Sequence, residues 1–197
     1  DPMTGLPNRR HLMERLDQEV ARSKRSGEAL ACLFLDVDGF AEVNNKYLHE
    51  AGDSILGTLA GVLRRQLRAS DILGRYGGDE FVILLPAVEA NQVAHVANRL
   101  RRAVERHRFR ALPPHEAITV SIGASLCVLD DGTDASLLLR TADESLYRAK
   151  EEGRNRVALH ESLAGRAASG SVHGDDFGSR NEPVRSARAP SRRVAGE

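Results

Sequence analysis

A continuous apolar run, Leu30-Ala31-Cys32-Leu33-Phe34-Leu35, passes without a break into Asp36-Val37-Asp38-Gly39. At this length the run reads as a strand, and its unbroken apolarity calls for burial on both faces of a sheet. A sheet covered on both faces needs helices on both sides. Leu12, Leu16 and Val20 repeat on one helical face behind Asn8, a suitable N-cap, and Gly27 suits the end of that helix. After Gly39 the pattern predicts a short helical piece, a loop around His49 to Gly52, and a second helix capped by Asp53 with Ile55, Leu56, Leu59, Leu63 and Leu67 inward. Val93, Val96, Leu100 and Val104 mark a helix over 89–107. Thr133 or Asp134 is expected to cap a last helix, with Leu138, Ala142, Leu146 and Ala149 inward and Gly153 at its end.

Strands are expected at Ile72–Tyr76, Phe81–Leu85, 118–126 and Arg156–His160. Gly77-Gly78 between the first two predicts a tight hairpin, with the glycines supplying positive φ. Helices alternate with strands while one strand pair is a hairpin. The expected fold class is therefore α/β (α+β): a mixed central sheet of about five strands with flanking helices. From Ser162 onward Gly, Ser, Ala and Arg dominate, so 1–161 is expected to form one domain and 162–197 a disordered tail.

Lys+Arg and Asp+Glu both total 28, so a general nucleic-acid binder, which needs a basic face, is disfavoured. Cys32 and Cys127 both fall in strand-like runs and read as reduced core thiols. No stretch has the length of a transmembrane helix and no signal peptide opens the chain, which predicts a cytoplasmic segment without direct membrane contact. The start at Asp1 without an initiator Met reads as a fragment of something longer.

Asp36 ends a buried strand, where a lone Asp-Gly is commonly just a turn. Asp79 and Glu80 stand at the hairpin tip, where alone they read as a solvated acidic turn. If the hairpin flanks the Asp36 strand, three carboxylates converge, and a divalent cation would relieve their repulsion. Oxygen donors without His or Cys point to Mg2+.

Arg75-Tyr76-Gly77-Gly78-Asp79-Glu80-Phe81 resembles the signature of the GGDEF family of diguanylate cyclases. Asp1 to Arg10, Phe34 to Asp38 with Asn44, His49 and Gly52-Asp53, Val120 to Gly123, and Ala142 to Asn155 are similar to further segments of that family, so the resemblance covers about residues 1–160. It implies a nucleotidyl-cyclase, polymerase-palm-like fold. It implies condensation of two GTP molecules into cyclic di-GMP with release of pyrophosphate, using a pair of Mg2+ ions for which Mn2+ can substitute.

The roles the resemblance implies follow residue by residue. Asp36, the Val37 carbonyl and Asp79 hold metal, and Glu80 is the base for the 3′-hydroxyl and a further metal contact. Gly39 and Phe40 offer backbone N–H groups to phosphate, and Gly77 and Gly78 border the substrate. Lys150 and Arg154, four apart on a helical repeat, share one face and clamp the β- and γ-phosphates; without the motif they read as a solvated basic face. Asn44 and Asp53 read guanine, though each also suits a helix end. Arg68 and Asp71 form an RxxD motif nine residues before Gly77, where the family binds inhibitory cyclic di-GMP; Arg99 adds an arginine, and His95 occupies another such position less suitably. An ordinary ion pair at a helix end would also explain Arg68 and Asp71.

Each domain binds one GTP in this picture, so a homodimer is expected. So is a sensory or receiver domain upstream of Asp1, with the whole either cytoplasmic or the cytoplasmic part of a membrane-anchored protein. Two departures stand out. Ala41 replaces a frequent Lys near the phosphates, and Leu48 replaces a frequent Gly before His49. With the kept RxxD motif, Arg68 to Asp71, they motivate the alternative of a catalytically silent domain acting as a GTP or cyclic di-GMP receptor. A palm-like transferase or adenylyl cyclase is disfavoured by Asn44 and Asp53.

Overall fold

The computed structural model describes residues 1–128 and 135–160. The expected cap at Thr133 or Asp134 and the tail 162–197 lie outside the described residues. Four helices and five strands alternate as α1 (Arg9–Ser26), β1 (Ala29–Val37), α2 (Phe40–Arg64), β2 (Ile72–Arg75), β3 (Glu80–Pro86), α3 (Ala90–Glu105), β4 (Val120–Val128), α4 (Ala135–Glu151) and β5 (Val157–Leu159). The strands lie in the order β2-β3-β1-β4-β5. Only β4 and β5 are parallel; the other neighbours are antiparallel, which gives the expected mixed sheet.

The apolar run of β1 is central because both its faces are covered. Ala31, Leu33, Leu35 and Val37 belong to the core shared with α2 and α3. Leu30, Cys32 and Phe34 belong to the core shared with α1 and α4. Fully buried Leu12, Leu59, Leu63 and Phe81 each contribute about 1.5–3 kcal/mol of burial. Burial also pushes the Cys32 thiol up to about 12, so it is inert packing, whereas Cys127 is only half-buried.

This alternation aims the chemistry. Asp36 continues the even-numbered series of β1, so it takes the α4 side of the sheet. Glu80 stands opposite Asp36 in the β1–β3 register and continues the series of Val82 and Leu84 on that same side. Gly123 lets α4 lie directly on β4: a Cβ there would come within 2.1 Å of the Ala142 carbonyl and the Leu146 nitrogen. That contact brings Lys150, one turn beyond Leu146, down to the end of β1.

Two local expectations are corrected. The break in α2 is the single residue Leu48, at φ 67° and ψ 163°, and the helix resumes at once. Asp53 therefore lies inside the helix and is not its cap. The Gly77 and Gly78 residues do close a hairpin, yet neither has positive φ. A Cβ at Gly77 would come 2.3 Å from Glu80 Oε2, so a side chain there would displace that carboxylate.

Candidate active site

A cavity of about 520 Å³ opens where β1 ends, lined by Asp36, Val37, Asp38, Gly39, Phe40, Ala41, Glu42, Asp79, Lys150 and Arg154. Asp36 and Asp79 thus share one cavity, and the Val37 N–H donates to the Asp79 carbonyl at 3.3 Å. Asp36 is buried and pairs with Lys150, whose Nζ lies 2.8 Å from Oδ2. Burial pushes the Asp36 carboxyl up to about 6; Asp79 and Glu80 add to the rise and Lys150 opposes it. Glu80 also sits above the ordinary glutamate range, first through burial and then through Asp79.

The three carboxylates are electrostatic neighbours, but the expected convergence is incomplete. Among the described residues no three Asp, Glu, His or Cys side chains form a cluster able to hold an ion alone. Glu80, Gly77 and Gly78 border the hairpin rather than line the cavity.

The basic wall is built differently from the expected helical repeat. α4 stops at Glu151, and Arg154 lies beyond it in a turn where Gly153, Arg154 and Asn155 all have positive φ (115°, 59° and 47°). Lys150 and Arg154 still line one cavity, because the turn folds back rather than because the helix continues. Gly39, at φ 68°, opens α2 so that its first backbone N–H groups border the same space.

The hairpin tip is held from below by Arg75. Its guanidinium donates to the carbonyls of Gly77 (3.2 Å) and Gly78 (2.7 Å) and pairs with the Asp1 carboxylate at 3.1 Å. Asp1 in turn accepts from the Thr4 N–H and hydroxyl. This link between the opening turn and the hairpin was missed in the sequence, although both segments stood out there.

Asn44 does not line this cavity, but its side chain meets Gly52 beside Phe40, which does. Its Oδ1 is buried without a hydrogen-bond partner among the described residues, and it packs so closely on Gly52 that a Cβ there would come within 2.0 Å. Its helical segment is tied to the loop before β4 through Lys46 and Tyr47, which both donate to Glu116. Asp53, next to Gly52, is exposed.

Arg68 and Asp71 line a second cavity of about 370 Å³ with His11, Arg15 and Arg64. The pair closes a turn through the backbone: the Arg68 N–H donates to Asp71 Oδ2 at 2.8 Å, and no ion pair joins their side chains. Arg99 and His95 line a third cavity with Arg102 and Arg106, and Arg99 donates to the Gln66 carbonyl at 2.7 Å. The residues expected to form one inhibitory site therefore flank Gln66 and Leu67 from two sides.

A palm-like mixed sheet whose central strand ends in a buried carboxylate beneath a lysine places the protein in the nucleotidyl-cyclase fold class. The chain belongs to the GGDEF family: the model described as "Diguanylate cyclase, GGDEF domain" matches residues 1–156. Diguanylate cyclase DgcP of Pseudomonas aeruginosa is 41% identical over 162 residues, covering 81% of this chain and 23% of DgcP. Diguanylate cyclase DosC of Escherichia coli is 39% identical over 160 residues, covering 81% of this chain and 34% of DosC. The chain thus spans a quarter to a third of these relatives. The GGDEF domain of DgcB from Caulobacter crescentus, solved in complex with c-di-GMP, superposes with a TM-score of 0.75 at 30% identity, covering 82% of this chain and 95% of that one.

Proposed function

We propose that this domain is a diguanylate cyclase that condenses two GTP molecules into cyclic di-GMP and two pyrophosphates. The observation that carries the reading is one cavity with an acidic edge, Asp36 and Asp79, facing two cations, Lys150 and Arg154. The donor set fits a hard divalent ion: carboxylate and carbonyl oxygens, with the Asp36 carboxyl raised first by burial and further by Asp79 and Glu80. Asp36, Asp79 and the Val37 carbonyl would hold Mg2+, with phosphate and water oxygens completing its shell and Glu80 within reach. Bound there, the ion supplies charge neutralisation for the attacked α-phosphate.

The chain's own groups do the rest. Lys150 and Arg154 bind the β- and γ-phosphates, joined by backbone N–H groups at Gly39 and Phe40. The Asn44 amide and the Asp53 carboxylate read guanine. Glu80, with its proton affinity raised, accepts the 3′-hydroxyl proton as that oxygen attacks the α-phosphorus of a second GTP and pyrophosphate leaves. One GTP per domain requires a second copy, so the active species is a homodimer. Arg68, Asp71 and Arg99 form the inhibitory cyclic di-GMP site, shared between the two flanking cavities. The setting is cytoplasmic; no helix among the described residues is long and apolar enough to cross a membrane.

Incubation with GTP and Mg2+ tests this: wild type makes cyclic di-GMP, Glu80→Gln does not, and Arg68→Ala accumulates more product. No product from wild type at high protein concentration refutes it. One observation favours the silent-receptor reading: Ala41 lines the cavity at the position where the family often has Lys. That reading predicts GTP binding without turnover.

A further inference from the structure

Asp38 lines the same cavity as Asp36, but its carboxylate is already committed. Oδ1 accepts the Ser121 hydroxyl at 2.7 Å. Oδ2 accepts the Thr119 hydroxyl at 2.7 Å and the Asn155 backbone N–H at 3.0 Å. Its own N–H donates to the Thr119 carbonyl at 3.0 Å. Three donors on two oxygens leave little capacity for a metal ion.

The third of these bonds is the informative one. Asn155 and Arg154 are consecutive non-glycine residues in the left-handed region, at φ 47° and 59°. Such backbone persists only where its surroundings over-determine it. Here the surroundings are countable. The Arg154 N–H donates to the Ala149 carbonyl at 3.0 Å, and Asp38 takes the next N–H. The Asn155 amide donates to Glu105 Oε1 at 2.7 Å and accepts from Arg101 at 2.8 Å, while Arg101 also pairs with Glu105 at 3.0 Å. The turn is thereby clamped between the end of β1 and the end of α3. What it presents to the cavity is Arg154.

We infer that Asp38, acting with Asn155, is a positioning residue: it holds the left-handed turn that aims Arg154 at the terminal phosphates of the nucleotide. The inference rests on the phosphate-clamp reading above and adds a residue that acts through Arg154. Its signature is selective. Loosening the turn weakens contacts to the β- and γ-phosphates and leaves guanine and the α-phosphate alone.

The test is calorimetry on the full chain with Mg2+, comparing the α,β-methylene analogue of GTP with GMP. Asp38→Ala and Asn155→Ala should each lose about tenfold in affinity for the analogue and keep GMP affinity, as loss of one charge-assisted contact implies. Neither should weaken the analogue further in an Arg154→Ala background, since coupled residues are not additive. Equal loss for both nucleotides, additive loss with Arg154→Ala, or unchanged affinity for the analogue overturns the inference. Circular dichroism checks folding, and Asn155→Ala decides should Asp38→Ala not fold. If wild type binds neither nucleotide, or Arg154→Ala binds the analogue as wild type does, the clamp itself fails and the inference falls with it. If Arg154→Ala weakens binding and the positioning variants do not, the inference alone falls.

Discussion

The Lys150 ammonium lies 2.8 Å from Asp36 Oδ2, at the point where a buried strand of the central sheet meets the helix packed over it. One cation faces a carboxylate that has two acidic neighbours, and the balance still leaves Asp36 raised to about 6 from 3.8, with burial as the leading cause. The ammonium outweighs the two acidic neighbours, so the net rise comes from burial.

This balance sets a pH dependence. The folded protein holds the Asp36 proton more tightly than the unfolded chain does, so ionising Asp36 destabilises the fold. The cost is absent below about pH 4, grows up to about pH 6 and is complete above it. In metal-free buffer at pH 7.5, Asp36→Asn should therefore raise urea-derived stability by roughly 1–3 kcal/mol, and the gain should vanish near pH 4. A variant less stable than wild type at pH 7.5 contradicts this balance.

Lys150 also occupies the carboxylate oxygen that a divalent ion needs. Lys150→Met should tighten Mn2+ binding to nucleotide-free protein by about fivefold, because a like charge is removed from the ion's site. Electron paramagnetic resonance of free Mn2+ reads this directly. Weaker Mn2+ binding would show that Lys150 supports the ion site instead of competing for it.

Gly77 lies against Glu80, whose Oε2 would meet a Cβ at 2.3 Å. Gly77→Ala must push that carboxylate aside. The turnover number should drop on the order of a hundredfold, the scale of a lost general base. Thermal stability should change by less than about 1 kcal/mol at this half-buried tip, because only a mobile carboxylate end has to move. Full turnover in the variant would remove Glu80 from the proton-transfer role.

Leu48 carries strain in the open. At φ 67° and ψ 163° it adopts a conformation that suits glycine, and its side chain is 71% exposed, so little burial offsets the strain. Leu48→Gly should stabilise the protein by about 1 kcal/mol, the strain relieved being larger than the entropy glycine loses. An unchanged or lower urea midpoint would mean that Leu48 makes a compensating contact.

The sequence was sufficient wherever a single element decides the outcome. The Leu30–Leu35 run determined a two-sided central strand, because six apolar side chains in alternation leave no face for water. Asn8 and Gly27 marked the ends of α1, since capping is a property of a few adjacent residues. The hairpin before Phe81 was legible for the same local reason.

Tertiary structure decided what depends on contacts distant in sequence. Gly77 reads as a turn residue, but it lacks positive φ and lies against the Glu80 carboxylate. Lys150 and Arg154 looked like one helical face, but the helix ends between them, and a turn held by Asp38 and Glu105 brings Arg154 back. Arg75 reaches Asp1 across the whole first half of the domain. Periodicity and capping describe a residue's own neighbourhood, so the sequence determined which elements form and which residues bear charge. Hydrogen bonds between elements set where those charges point, and only the packed fold brings these partners together.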